Sequence, residues 1–410
     1  MKSDSDVGPS LALEEIIRTE IRVRGAVTFA RFMELALYHP EHGYYASGRA
    51  RIGRKGDFFT NVSVGAVFGK LLAAQFAEVW EKLDRPGEFT IVEQGAHDGQ
   101  FAADALDALR GRDCFAALNY IIVEPFPVWR ERQQEKLRDF AHVIIPSEVE
   151  GSRGDTFKVT SRDPSTSLGM TGYSKRNKVS WLESIDQLEP FTGIHFSNEL
   201  FDALPVHLLE SNSGKWRELF VKFRHSRFEL GGVSSCEPGV AELRPPNTAL
   251  ASCQRCRTEV SLAAPKLMRE IAAKLSRGVI LTIDYGFTRE EFYSPERSTG
   301  TLQVRAQHRK LASPFEQVGL ADISAHVEWT SLIEAGESAG AQKLGFTDQH
   351  HFLTGILTEL LPDLTVADKR GLQTLLHPEM LGRSFQALAL GREFGGALSG
   401  FNFAREFRSR

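Results

Sequence analysis

The sequence predicts an α/β fold built on a doubly wound, Rossmann-like sheet. From residue 86 onward, short runs of consecutive apolar residues alternate with segments of helical period. The clearest apolar runs are residues 89–93, 120–124, 192–197 and 278–284. Continuous apolar strands that alternate with helices are typical of a parallel sheet that is covered by helices on both faces.

Composition and charge exclude several classes of protein. The 410 residues carry 49 basic and 53 acidic side chains, whereas a general nucleic-acid binder would show a basic excess. No apolar run reaches the roughly 18 residues of a membrane-spanning helix. The N-terminus is acidic, unlike a targeting peptide, and four cysteines are too few for a disulfide framework. We therefore expect a cytoplasmic protein with reduced cysteines that neither binds nucleic acid nor inserts stably into a membrane.

The chain divides into a predicted cap and a predicted core. Residues 1–85 are mostly helical in pattern and are expected to form an N-terminal cap, with residues 86–410 as the core. Within the core, residues 146–178 are polar and without hydrophobic period, which predicts a disordered surface insert. A helical insertion is expected at about residues 287–380. The irregular stretch at residues 39–60 is long and rich in glycine and aromatics, which indicates a functional loop.

Several further elements follow from local patterns. Residues 142–145 are expected to form a strand, residues 216–230 a hairpin and residues 385–390 the last core strand. Residues 252–275 are predicted to be helical. Residues 130–136 are interpreted as a solvated helix face because they are almost entirely polar.

The strongest local signal is a glycine-containing turn between a strand and a helix. In residues 93–99, Gly95 and Gly99 allow a tight turn and the close approach of a ligand to the helix N-terminus. About 25 residues later, Glu124 ends the next strand, where an acid typically accepts hydrogen bonds from a ribose. Together with Glu93, these residues predict a nucleoside-binding site. The alternative is a plain tight turn in which Asp98 caps the helix.

The residues of the turn favour one nucleoside over another. A dinucleotide site needs a G-x-G-x-x-G spacing, but this chain has His97 at the middle glycine and Asp98 beside it. A carboxylate repels a pyrophosphate and suits a cationic ligand. S-adenosylmethionine (SAM) has no phosphate and carries an ammonium and a sulfonium group. The turn therefore favours SAM over NAD, and an NAD-linked oxidoreductase is disfavoured.

A second polar cluster follows a predicted core strand. Ligands bind beyond the carboxyl ends of the strands in a doubly wound sheet, and Asn198, Glu199 and Asp202 lie at such an end. If a helical turn follows, Glu199 and Asp202 share one face, where paired carboxylates can hold a guanidinium. We predict that both accept a proton in catalysis and that Asn198 positions the cofactor or the acceptor. The alternative is that they only cap a helix.

Five motifs in fixed order resemble the MidA family of SAM-dependent methyltransferases. They are residues 56–60, 93–99, 198–206, 284–286 and 322–327. The resemblance implies a seven-stranded methyltransferase sheet with helical additions and SAM bound near Gly95, Gly99 and Glu124. It also implies methylation of an arginine in a partner protein, since mitochondrial members methylate a subunit of respiratory complex I.

The resemblance extends the set of candidate site residues. It implies that Asp57 lies beside the cofactor and that Asp284, Tyr285 and His326 contact the substrate. Because His97 replaces a glycine of the family pattern and adds a side chain to the turn, an alternative is a non-catalytic assembly chaperone with the methyltransferase fold. No metal site is predicted, since two cysteines at zinc-like spacing lack a second pair. Homo-oligomerisation is left open.

Overall fold

The computed structural model describes most of the chain. The described residues are 9–50, 60–140, 178–212, 215–233, 239–240, 255–307, 309–360 and 364–404. Asp57, the strand expected at residues 142–145 and residues 146–177 of the expected insert lie outside them.

Helices and strands alternate along most of the described chain. The helices are α1 Pro9–Arg24, α2 Phe29–Tyr38, α3 Val67–Lys82, α4 Gln100–Leu109, α5 Cys114–Ala117, α6 Pro127–Lys136, α7 Ala263–Lys274, α8 Arg289–Phe292, α9 Trp329–Ser338, α10 Gln349–Leu360 and α11 Val366–Leu376. Short 3₁₀ helices span Asn61–Val64, Ile185–Gln187, Pro295–Arg297 and Ser399–Phe401, and a π-helix spans Pro378–Gly382. The strands are β1 Val27–Thr28, β2 Phe89–Gln94, β3 Leu118–Val123, β4 Val179–Leu182, β5 Phe191–Asn198, β6 His207–Asn212, β7 Lys215–Arg224, β8 Arg227–Val233, β9 Arg255–Val260, β10 Leu275–Phe287, β11 Gln303–Ala306, β12 Arg309–Lys310, β13 Asp322–Ser324, β14 Val327–Glu328, β15 Gln342–Asp348 and β16 Phe385–Arg392.

The central sheet is mostly parallel, as the sequence predicts. Its strand order is β15-β16-β10-β5-β2-β3-β4, and β14 pairs with β10 beside this path. Strands β10, β5, β2, β3 and β4 run parallel to one another, and β16 is antiparallel to both of its neighbours, β15 and β10. The carboxyl ends of β2, β3, β5 and β10 therefore lie at one edge, which is where ligands bind in this fold class.

Helices cover both faces of this sheet. Successive side chains of a strand point to opposite faces, so Ile91 and Val92 of β2 enter two different cores. Ile91 packs in a core with Phe76 of α3 and Phe101 of α4. Val92 packs in a second core with Met268 of α7. The prediction of a doubly wound α/β fold is confirmed.

The chain also forms a second, five-stranded sheet. Its order is β1-β7-β6-β9, with β8 paired to β7 as the expected hairpin. Helices α1 and α2 pack in the same core as its strands, whereas α3 packs with the central sheet. The prediction of continuous helix over residues 252–275 is wrong, because residues 255–260 form β9, paired with β6. The region 287–380 likewise contains strands β11–β15 between its helices, and the division into cap and core stays a prediction.

Two sequence expectations concern the environment of the chain. None of the helices in the described ranges is long and apolar enough to cross a membrane. Cys114 is a buried free thiol, but Cys256 is disulfide-bonded. One disulfide is not a framework, yet it departs from the expectation that the cysteines are reduced.

Close packing of β2, β5 and β10 gives a testable consequence at Gly193. Its φ is +150°, and a Cβ there would lie 1.9 Å from the carbonyl oxygen of Thr90. We expect Gly193→Ala to lower the free energy of unfolding by about 2–3 kcal/mol or more, because neighbouring strands must separate to admit a methyl group. Urea denaturation measures this change. Gly111→Ala is the matched control, since no atom lies within 4 Å of its Cβ position; an equal loss in both variants would contradict the argument.

Candidate active site

The turn between β2 and α4 has the backbone that its glycines predict. Gly95 and Gly99 have φ of +83° and +80°, in the left-handed region where a Cβ is unfavourable. A Cβ on Gly95 would lie 3.4 Å from Leu200, so Gly95 faces the turn that follows β5. The missing side chain thus keeps open the space between these two turns, as a bound nucleoside requires.

His97 points away from that space. Its φ of +47° is unusual for a residue other than glycine, and its ring lies 4.2 Å from the ring of Trp129 on α6. Nε2 donates to the carbonyl oxygen of Ala50 at 3.1 Å. The side chain therefore packs against α6, whereas a Cβ at Gly95 would meet Leu200, and this difference weakens the argument for the chaperone alternative.

Asp98 contacts the start of α4 and a lysine of α6. Its Oδ1 accepts from the main-chain N–H of Gln100, and its Oδ2 lies 2.6 Å from Nζ of Lys136. Burial opposes ionisation of Asp98, but hydrogen bonds from His97 and Lys136 outweigh it and hold the carboxyl pKa well below its usual range. These contacts favour the alternative in which Asp98 supports the start of the helix, with Gly99 as the N-cap residue. A contact of Asp98 with a cationic ligand stays a prediction.

Glu124 lies directly after β3, at the position predicted for a ribose contact. Its carboxylate accepts from the main-chain N–H of Phe126 at 3.0 Å and from Nε2 of Gln133 at 3.3 Å. Burial raises its pKa to about 7. Gln133 also donates to the carbonyl oxygen of His97 and accepts from Trp181, so it links the turn to Glu124. The interpretation of residues 130–136 as a solvated face is wrong at Gln133, which is fully buried.

Glu93 lies inside the sheet, one strand position before the turn region. It is 3% exposed and accepts a hydrogen bond from the hydroxyl of Tyr120 at 2.7 Å. Burial raises the pKa of Glu93 to about 8. Glu93 therefore lies in β2, directly before the turn predicted to bind the cofactor, and bonds to the neighbouring strand β3. A direct contact of Glu93 with a ligand stays a prediction.

The turn after β5 differs from the predicted helical turn. Glu199 has a φ of +53°, and Leu204 N–H closes the turn on the carbonyl oxygen of Phe201 at 3.3 Å. Glu199 and Asp202 therefore do not share a helix face. Glu199 points toward β10, where its Oε2 accepts from the hydroxyl of Tyr285 at 2.9 Å.

Asp284 of β10 accepts main-chain hydrogen bonds from this turn and so fixes its position. Its Oδ2 accepts the main-chain N–H groups of Leu200, Phe201 and Asp202 at 3.1, 2.9 and 3.2 Å. Its Oδ1 accepts from Tyr285 N–H at 2.8 Å. Asp284 is fully buried, and burial raises its pKa to about 7 although the four donors oppose that rise. This is the geometry of a positioning residue, whereas the sequence predicts a substrate contact.

An array of hydrogen bonds surrounds Glu199. Its Oε1 accepts from Nδ2 of Asn198 at 2.9 Å, and Oδ1 of Asn198 accepts from Nδ2 of Asn61 at 2.9 Å. Burial, followed by the nearby charge of Asp284, raises the pKa of Glu199 to about 8. A carboxyl group with this pKa can take up a proton near neutral pH, as a general base must. Asn61 was missed at the sequence level because nothing in a polar loop residue marks it as buried.

Asp202 faces a second group of acidic and aromatic side chains. Burial raises its pKa well above the usual range, and the charges of Asp284, Asp322 and Glu199 add to this effect. The hydroxyl of Tyr45 donates to Asp322 at 2.6 Å, and the Tyr45 ring stacks on Tyr38 at 5.5 Å. The sequence pointed only to the loop that contains Tyr45. Carboxylates beside aromatic faces suit a cation such as a guanidinium.

Tyr285 and His326 lie together, as the resemblance implies. Their rings are 6.3 Å apart and nearly parallel, and the edge of His326 meets Phe287 at 5.0 Å. Burial, with a smaller effect of Arg297, lowers the pKa of His326 to about 4, so the ring is neutral at pH 7. His326 also lines a mostly apolar cavity with Phe201 and other residues. Its substrate contact stays a prediction.

Comparisons with known proteins identify a methyltransferase family. Residues 71–347 match the family described as "Putative S-adenosyl-L-methionine-dependent methyltransferase". The chain is 27% identical over 406 residues to the mitochondrial protein arginine methyltransferase NDUFAF7 homolog of Drosophila melanogaster, covering 95% of this chain and 86% of the relative. It is 26% identical over 391 residues to the human mitochondrial protein arginine methyltransferase NDUFAF7, covering 90% and 81%. A crystal structure from Burkholderia thailandensis with bound S-adenosyl-homocysteine has a TM-score of 0.80 and 28% identity, covering 99% of this chain and 98% of that one.

The predicted ribose contact is testable by cofactor binding. We expect Glu124→Gln to weaken SAM binding about 10- to 100-fold, because a hydrogen bond to a charged acceptor is lost. Isothermal titration calorimetry measures the change. Glu131→Gln removes an exposed carboxylate of α6 and should bind SAM like the wild type. Equal affinity in all three proteins would exclude Glu124 from the cofactor site.

The raised pKa values predict how stability depends on pH. Glu199, whose ordinary pKa is 4.5, retains its proton in the folded chain up to about pH 8 and loses it earlier when unfolded. The folded state then binds more protons, so the free energy of unfolding falls as pH rises from about 4.5 to 8. Glu199→Gln should flatten this fall in urea denaturation at pH 5–9, whereas Glu189→Gln, at an exposed position, should not. An unchanged slope in Glu199→Gln would contradict the raised pKa.

Proposed function

The chain belongs to the MidA-like family of SAM-dependent methyltransferases, and we propose that it methylates an arginine nitrogen of a partner protein. The observation that carries the proposal is the arrangement of Glu199 and Asp202 in a turn that borders Gly95 of the cofactor turn. The names of the Drosophila and human relatives as protein arginine methyltransferases support the choice of acceptor.

The residues of the site account for the steps of such a transfer. SAM supplies the methyl group when bound, and Gly95, Gly99 and Glu124 are the residues that would hold it. A guanidinium stays protonated at neutral pH, so the acceptor nitrogen must give up a proton as the new bond forms. In the free protein Glu199 holds a proton at neutral pH, because burial raises its pKa to about 8. The positive charge of a bound guanidinium favours the ionised form of Glu199, which then releases that proton to solvent. Asp202 binds the guanidinium beside it, and the ionised Glu199 takes the proton of the acceptor nitrogen on a carboxylate oxygen.

The proposal also covers the partner protein whose arginine is methylated. We propose a subunit of respiratory complex I, on the ground that the curated relatives are mitochondrial proteins and that the family resemblance implies this partner. A cytoplasmic location and a possible self-association stay proposals. No observation now favours the non-catalytic chaperone, since His97 lies away from Gly95.

The two carboxylates give the decisive test of this function. We expect Glu199→Gln and Asp202→Asn to bind SAM like the wild type but to transfer methyl groups about 10²- to 10⁴-fold more slowly. Glu199→Gln removes the base that receives the proton, and Asp202→Asn removes a carboxylate that binds the guanidinium. Transfer is measured with radiolabelled SAM and an extract of cells that lack the protein, and mass spectrometry locates the label on arginine.

Glu189→Gln, which replaces an exposed carboxylate before the N-terminal end of β5, at the opposite strand end from the turn, serves as the control and should keep full activity. Wild-type rates in both Glu199→Gln and Asp202→Asn would remove the two residues from the mechanism. Label on another residue type would overturn the choice of arginine.

A further inference from the structure

Asn61 is the first residue of a chain of side-chain hydrogen bonds that ends at Glu199. It begins the 3₁₀ helix Asn61–Val64 and is fully buried. Its Nδ2 donates to Oδ1 of Asn198 at 2.9 Å, and Nδ2 of Asn198 donates to Oε1 of Glu199 at 2.9 Å. The two amides thus form a short chain that ends on a carboxylate.

The direction of this chain matters because an amide has a donor at one end and an acceptor at the other. While Asn61 donates to the carbonyl oxygen of Asn198, the amino group of Asn198 must face Glu199. Without that donor, Asn198 can rotate by half a turn and place its carbonyl oxygen against the carboxylate. That contact disfavours the ionised form of Glu199.

We propose that Asn61 is a positioning residue for methyl transfer, which fixes the direction of the Asn198 amide and so stabilises the ionised form of Glu199. The proposal rests on the proposed function to the extent that Glu199 is the proton acceptor. Asn61 does not touch the reacting atoms in this scheme, and it acts through Asn198.

The Asn61 side chain has one further polar atom. Its buried Oδ1 has no hydrogen-bond partner among the residues that the structure describes. The side-chain contact of Asn61 that the structure shows is therefore the one from its Nδ2 to Oδ1 of Asn198, and this contact sets the direction of the Asn198 amide.

Several other groups that face Glu199 do not belong to the Asn61 side chain. From β10 they are the carboxylate of Asp284 and the hydroxyl of Tyr285, and from its own turn the carboxylate of Asp202. The main-chain N–H of Asn61 also faces the carboxylate. Burial already raises the pKa of Glu199 to about 8, so loss of one oriented donor should raise it further.

The experiment measures the titration of Glu199 directly. Protein labelled with ¹³C at the glutamate carboxyl carbon is titrated by NMR, and the Glu199 signal is identified by its loss in Glu199→Gln. We expect an alkaline shift of about one pH unit in Asn61→Ala, the size of one hydrogen bond to a charged group. Asn61→Asp should shift it at least as far, because its carboxylate draws the Asn198 amino group away. Asn119→Ala, which removes an asparagine from β3, should leave the titration unchanged.

A second measurement links the shift to activity. The rise of kcat with pH should move by the same amount in Asn61→Ala, while KM for SAM changes less than about twofold. Because Asn61 is buried, thermal unfolding is followed in each variant, and the isosteric Asn61→Asp serves where alanine lowers stability. An unshifted Glu199 titration in a folded Asn61 variant overturns the proposal. A shifted titration in a protein without methyl transfer overturns the proposed function and leaves the positioning role of Asn61 supported.

Discussion

The carboxylate of Asp284 is the constraint on which the acceptor side of the site depends. Three consecutive main-chain N–H groups, from Leu200 to Asp202, point at one of its oxygens. Each of these donors would lose its hydrogen bond if the acid were replaced by an apolar residue, at a cost of about 1–3 kcal/mol per buried group. Because β5 and β10 are adjacent and parallel, an acid at the end of β10 lies directly beneath the turn that follows β5.

Holding the turn in this way brings like charges together. Asp202 is close enough to Glu199, Asp284 and Asp322 for each to raise its pKa. Such a cluster is unfavourable in the free protein, and a cation placed among the carboxylates relieves the repulsion. The rings of Tyr38 and Tyr45 stack on each other beside this group and add aromatic surface to its surroundings. The site thus gives up stability in the absence of its ligand and regains it when a cationic side chain binds.

Most of the fold and part of the site can be predicted from the sequence because they follow from periodicity. Apolar runs fix the parallel strands, and the residues at their ends, such as Gly95, Glu124 and Glu199, then fall at one edge of the sheet. No periodic pattern in the sequence marks the contacts that organise the site. Tyr45 and Asp322 are 277 residues apart in the chain, and Gln133 is a buried amide on a helix whose neighbours are charged. The helical turn expected after β5 does not form, because Glu199 adopts a positive φ. Such a φ is rare outside glycine, so the sequence does not predict it.

His97 shows how a departure from the glycine pattern can serve the structure. Its left-handed backbone costs about 1–2 kcal/mol relative to glycine. The close, tilted contact with the Trp129 ring and the hydrogen bond to Ala50 offset that cost. Trp129 in turn donates from Nε1 to the carbonyl oxygen of Tyr45 at 2.7 Å, and Tyr45 binds Asp322. A glycine at position 97 would keep the turn but lose the first link. The side chain therefore joins the cofactor turn to the acidic and aromatic group around Asp202 through contacts that are continuous in the folded chain.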